Sequence, residues 1–147
     1  MKRLLLAPLL ITLSFLNMGF IGKPKLEAIY CDQEKYLKAS NDEMWKNYPW
    51  IFDNKTGKLY DYDDFLNEIS PLNEWRFDDE IYTYKSRLEN NKLKIVESEK
   101  NLKYADRRYL IDLKAKKITS FNVDTPEDKL VGPCKKLDLP KGVKINY

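Results

Sequence analysis

The sequence predicts an all-β fold: an antiparallel meander of about six to seven strands, a small barrel or curled sheet, with one short helix near the start. Three observations carry that expectation. Aromatic and β-branched residues gather in short runs; the runs alternate apolar with charged positions; and Asn-, Gly- and Lys-bearing turns separate them at hairpin spacing. Ten Tyr, three Trp and six Phe in 147 residues favour an ordered fold, even with 33% of the chain charged.

The helix comes first. Residues 23–47 open polar and mixed, and Ser40-Asn41-Asp42-Glu43 carries the S-x-x-E of a capping box. That places a short helix over 41–47, with Met44 and Trp45 inside it and Pro49 as its stop.

Strand signals start at Tyr48. Trp50-Ile51-Phe52 and Leu59-Tyr60-Asp61-Tyr62 flank the turn from Asp53 to Lys58, which contains Asn54 and Gly57, and read as a β-hairpin. A second hairpin runs from Glu80 to Leu88, turns at Glu89-Asn90-Asn91 and returns from Lys92 to Glu97. A third joins Arg108–Leu113 to Ile118–Val123 through lysine-rich residues 114–117. Between the first two hairpins, Asp63 to Asp79 reads as a long connection holding Pro71 and Trp75, with room for one helical turn over 64–69. The tail, with Pro126, Gly132-Pro133-Cys134 and Pro140, reads as extended, pinned and then frayed.

Phase supports the strands. Leu93 and Ile95 share a face opposite Lys94, and Tyr109, Ile111 and Leu113 share another, as one buried and one wet face require. A flat sheet would expose its edges, so the meander has to close, curl on itself or pack as a sandwich.

The N-terminus carries an address. Met1-Lys2-Arg3 is a basic start, followed by 19 uncharged residues from Leu4 to Gly22. This is the layout of a signal peptide over residues 1–22, with cleavage between 22 and 28, followed by a β-rich domain over 23–147. The competing reading is an uncleaved membrane anchor, since the run is just short of the roughly 20 residues that span a bilayer. Export to the periplasm or the exterior follows from the first reading.

Charge excludes some partners. The chain has 26 Lys and Arg against 23 Asp and Glu; without residues 1–22 the basic count falls to 24, close to neutral. Mixed signs near neutrality give no electrostatic case for nucleic acid, and a membrane enters only if the N-terminal segment is retained.

Two cysteines, Cys31 and Cys134, most simply form one disulfide in an exported chain, tying the start of the domain to its end. A loop that long stabilises by about 4 to 5 kcal/mol in the chain-entropy account. Free thiols and a metal or redox pair are the alternatives, although no C-x-x-C occurs.

There is no histidine, which removes Ser-His-Asp and Cys-His arrangements and histidine-centred metal sites. Acid–base work would fall to carboxylates, Lys or Tyr, and no carboxylate pair is singled out by spacing. No catalytic residue, metal site or cofactor is assigned. Asp61, Asp63 and Asp64 lack the EF-hand pattern and read as solvated turn residues, as do Asp78-Asp79-Glu80. Asn54-Lys55-Thr56 matches a glycosylation sequon and also an ordinary hairpin turn, the reading favoured here.

One cluster remains as a candidate binding site. Trp45, Trp50, Phe52, Tyr60 and Tyr62, with Tyr48 among them, lie close in sequence and could form a stacking platform for a sugar or other planar ligand; the competing role is core packing and cross-strand pairing.

The Met-Lys-Arg-Leu-Leu-Leu-Ala-Pro-Leu start, the early cysteine, the Tyr-Leu-Ile-Asp-Leu-Lys hairpin at 109–114 and the closing Gly-Pro-Cys-Lys-Lys form a combination. It resembles small exported proteins of unknown function from marine picocyanobacteria. The resemblance implies an exported β domain with one disulfide, leaves the thylakoid lumen as open as the periplasm, and implies no activity. The expected function is a non-enzymatic exported binding or envelope-interaction module for an unknown small molecule or envelope protein. The alternative is a carboxylate-based hydrolase acting on envelope glycans.

Overall fold

A computed structural model describes residues 22–32, 36–101 and 105–147. Apart from Gly22, the expected signal peptide lies outside these residues. The described chain is all-β. Its strands are β1 (Leu26–Cys31), β2 (Trp50–Asp53), β3 (Leu59–Asp63), β4 (Glu68–Pro71), β5 (Glu74–Phe77), β6 (Glu80–Glu89), β7 (Lys92–Glu99), β8 (Arg107–Asp112), β9 (Lys117–Asn122), β10 (Thr125–Leu137) and β11 (Lys144–Ile145).

They form one sheet in the order β11-β4-β3-β2-β1-β10-β9-β8-β7-β6-β5, antiparallel except where β11 lies parallel to β4. The long β10 belongs to two neighbourhoods. Leu130 to Pro133 pair with β9, and Cys134 to Leu137 pair with β1. The sheet is thereby bent into two halves that meet along β10. On the opposite side, only Leu72 and Asn73 separate β4 from β5, yet these two strands do not pair and the sheet stays open.

Two apolar clusters follow from this bend. One lies between the halves and joins Ile29, Phe52 and Leu59 from the first half to Leu93, Ile95 and Ile111 from the second, with Cys134 at the junction. The other lies on the outer face of the first half, where Leu26, Ala28, Tyr30, Ile51, Tyr60, Ile69 and Leu137 pack with Met44 and Trp45. Leu139, Val143 and Ile145 of the C-terminal segment complete it. Successive residues of β1 thus enter different cores: Ala28 and Tyr30 one way, Ile29 the other.

Four expectations are corrected. Eleven strands replace six or seven, because β1, β4, β5 and β10 lack the one-sided alternation used to find strands. The sheet does not close into a barrel, since β4 and β5 are joined by chain and not by a ladder. The helix over 41–47 shrinks to a single turn, α1 (Asn41–Trp45), held by the reciprocal bonds between Ser40 and Glu43. Finally, 64–69 is a tight turn entering β4, with Asp63 Oδ1 accepting from the Leu66 N–H at 2.9 Å, and the tail is β10 followed by β11.

The three hairpins stand where their turn chemistry put them. Asn90 and Asn91 both take positive φ (50° and 60°), as a type I′ turn requires. In the β2–β3 turn, Asp53 accepts from the Lys55 N–H and the Thr56 hydroxyl at 3.2 and 2.8 Å. Asn54 donates to Glu27 at 3.1 Å, so the sequon residues are engaged in the turn and its anchoring. This turn packs on the second half: the Leu88 N–H donates to the Thr56 carbonyl at 3.1 Å.

Candidate functional site

The five aromatics of the sequence-level cluster are divided by the pleat. Trp45 is buried in α1, its indole N–H donating to the Asp138 carbonyl at 2.9 Å and its ring meeting Tyr62 edge-on at 5.0 Å. Tyr62 and Tyr60 share that outer-face core, and the Tyr62 hydroxyl donates to Asn67 at 3.1 Å. Phe52, 1% exposed, fills the space between the halves. Trp50, on the same face of β2 as Phe52, is half-buried and leans on Tyr109 of β8 with ring centres 5.0 Å apart. No single platform collects all five.

What the fold does assemble is a cleft on the open side of the sheet, where β2, β3 and the β4–β5 link face β6, β7 and β8. Its volume is about 210 Å³. Trp50 and Tyr60 reach it from the predicted cluster, and Tyr48, Trp75, Tyr84 and Tyr109 join them. Two carboxylates, Asp61 and Glu97, share the same lining, which contains no Lys or Arg.

Glu97 lies on the inward face of β7, two residues beyond Ile95, opposite Arg107 of β8. The Tyr109 hydroxyl donates to its Oε1 at 3.3 Å. Burial and the Glu97 charge push Tyr109 up to about 12, with Arg107 pulling the other way. Burial, then Glu97, raise Tyr84 further still. Both phenols therefore stay protonated at any ordinary pH and serve as hydrogen-bond donors. Asp61, at the mouth, has its pKa raised by loss of solvation and by Asp63, against the Tyr62 N–H that stabilises its charge at 2.9 Å.

The cleft thus offers aromatic faces for stacking and two acceptor carboxylates, of which Glu97 is held by the Tyr109 hydroxyl. Its position was half visible in sequence. The phase Leu93-Ile95-Glu97 continues an inward face into an acidic residue, and Tyr109 keeps phase with Ile111. Trp75 was hidden inside an apparent loop.

A wider hollow of about 520 Å³ lies on the outer face of β6 to β9, around Val96, Leu110 and Phe121. Arg87 and Lys94 at its rim are already paired with Glu89 at 3.3 and 2.7 Å, and its lining holds two aromatics, Tyr109 and Phe121, and no carboxylate. Among the described residues, no group of three or more Cys, Asp or Glu gathers as metal ligands.

The comparisons with known proteins add no family. No protein-family model matches the chain, and no curated protein and no solved structure matches it either.

Proposed function

We propose that the protein is a non-enzymatic exported binding module whose ligand sits in the aromatic cleft. The observation that carries this reading is the convergence of Trp50, Trp75, Tyr84 and Tyr109 on the carboxylates Asp61 and Glu97. Aromatic faces take a flat or apolar ligand surface, and acceptor carboxylates take hydroxyl or ammonium donors. The volume, about 210 Å³, is below the roughly 300–1,000 Å³ of pockets for drug-sized molecules, so the ligand is one ring or one sugar unit in size. The Cys31–Cys134 disulfide fits an oxidising compartment, and the proposed location is the periplasm or the exterior.

The test is titration with a methyl glycoside and with benzylamine, read by the indole N–H resonances of Trp50 and Trp75. Binding should move both, and Trp50→Ala or Glu97→Gln should weaken it about tenfold or more. Shifts absent for both probe classes at millimolar concentration would remove the cleft as the binding site.

One observation favours a second reading, a carboxylate hydrolase of envelope glycans. Asp61 and Glu97 face one cleft, and Asp61 is shifted upward as a general acid requires. Turnover of a nitrophenyl glycoside that is lost in Asp61→Asn and in Glu97→Gln would establish it.

A further inference from the structure

The edge strand β5 is the least protected element of the sheet. All four of its residues, Glu74, Trp75, Arg76 and Phe77, are exposed, and among the described residues its single strand neighbour is β6. Natural edges are blunted by shortness, charged side chains, Pro or a bulge. β5 is short and carries Glu74 and Arg76, yet it lacks Pro and a bulge and exposes two aromatic rings, Trp75 and Phe77, stacked 5.9 Å apart.

The direction of its free backbone groups can be read from its neighbours. The Ile81 carbonyl accepts from the Lys100 N–H at 2.8 Å, so Ile81 turns toward β7 and the flanking Glu80 and Tyr82 turn toward β5. Their partners Phe77 and Trp75 consequently spend their N–H and C=O on β6. Glu74 and Arg76 present theirs to the open edge.

A second strand can add to such an edge only in registers that match these outward groups. For two copies of β5 running antiparallel about a two-fold axis, three registers do so. An axis at Arg76 sets Arg76 against Arg76 and Glu74 against Asp78, and an axis at Glu74 sets Glu74 against Glu74. An axis at Trp75 sets Glu74 against Arg76 on both sides and places the two Trp75 side by side. Like charges directly opposed destabilise a strand pair and opposite charges stabilise it. An axis at Phe77, which would set Arg76 against Asp78, fails because Asp78 turns away from the strand at φ 50°, so one register survives.

We propose that β5 pairs with β5 of a second copy of this chain, antiparallel, about a two-fold axis at Trp75. The charge pattern Glu-Trp-Arg is self-complementary in that register, as an isologous interface requires. Within one chain Glu74 meets Arg76 at 3.5 Å and Lys100 at 3.6 Å, both exposed pairs; the Arg76 pair exchanges for the two intermolecular ones and Lys100 stays beside Glu74. Since Trp75 also lines the aromatic cleft, the axis makes the clefts of the two copies adjoin.

Sedimentation equilibrium of the exported, disulfide-bonded protein tests this. The wild type should show a concentration-dependent dimer. Glu74→Arg and Arg76→Glu should each raise its dissociation constant about tenfold, because symmetry turns two attractive pairs into two repulsive ones. The double charge swap, Glu74→Arg with Arg76→Glu, should restore dimerisation to within about threefold of wild type. Far-ultraviolet circular dichroism and an unfolding midpoint matching those of the wild-type monomer show the variants folded, as expected for exposed side chains. A wild type monomeric up to about 1 mM overturns the proposal. So does a dimer indifferent to the single reversals, or one that the double swap fails to restore.

Discussion

Cys31 and Cys134 face each other across the β1–β10 ladder with Cα atoms 4.0 Å apart, at the residue where β10 leaves β9 for β1. The disulfide therefore fastens the point at which the sheet bends, besides joining distant parts of the chain. Replacing both cysteines with Ala, or reducing the bond, should lower unfolding stability by about 4 kcal/mol in the chain-entropy account. Urea denaturation with and without reductant measures it. A loss under about 1 kcal/mol would mean that the ladder alone holds the bend.

Gly57 sits in the β2–β3 turn at φ +79°, where an added Cβ would lie 2.4 Å from the Leu88 nitrogen of β6. That backbone cannot yield without breaking the Leu88 N–H bond to the Thr56 carbonyl. Gly57→Ala should cost about 3 kcal/mol, from φ strain plus displacement of the turn from the second half. Gly142, at φ +66° in open space, provides the control: Gly142→Ala should cost about 1 kcal/mol, its strain alone. Equal losses would show that the turn does not press on β6.

Trp45 and Trp50, both in the candidate cluster, should behave differently. Trp45 is 5% exposed and bonded to the Asp138 carbonyl, so Trp45→Ala should cost about 3 to 5 kcal/mol. Trp45→Phe retains most of the burial and leaves that carbonyl with the Asn41 amide at 3.2 Å as its side-chain donor, so it should cost only about 1 kcal/mol. Trp50→Ala opens the cleft wall against Tyr109 and should cost less than Trp45→Ala, about 1 to 2 kcal/mol, while weakening probe binding about tenfold or more. Thermal unfolding and the titration separate the two roles.

The three hairpins were legible because turn residues and one-sided alternation agree there, as at Asn90-Asn91 between Leu88 and Leu93. β1 was not, because Ala28, Ile29 and Tyr30 are all buried and a strand covered on both faces has no period of two. β4 hid behind Pro71, which a strand tolerates where no ladder bond is needed; β11 pairs only Glu68 and Ile69. β10 looked like a tail since its exposed, charged first half, with Pro126, precedes the buried Cys134 and Leu137. The cleft was the least legible feature. Its walls, Trp50 and Asp61 against Trp75, Tyr84 and Glu97, come from opposite halves, and the bend at β10 brings those halves together.

Asp61 offers the clearest pH signature. The residue is exposed at the cleft mouth, and partial loss of solvation together with the Asp63 charge raises its folded-state pKa above the ordinary 3.8. The native chain therefore holds this proton slightly more tightly than the unfolded chain does, an effect that solvent screening keeps small. Native stability on this account falls as pH climbs from the unfolded value through the raised folded one, and the penalty is complete above both. Asp61→Asn, which cannot ionise, should be the more stable protein at pH 7, and the difference should vanish below the unfolded carboxylate pKa, where wild-type Asp61 is protonated in both states. Glu27 gives the opposite sign. Its pKa is lowered, first by the Asn54 amide and then by Lys136, so its stabilising effect is present above the ordinary 4.5 and is lost as pH falls through the lowered folded value. Glu27→Gln should therefore be the less stable at pH 7 and converge on wild type in acid. Denaturation midpoints of both variants across pH 2.5 to 7 decide the matter, and an Asp61→Asn gain that persisted at the acid end would show that hydration of the carboxylate is not its cause.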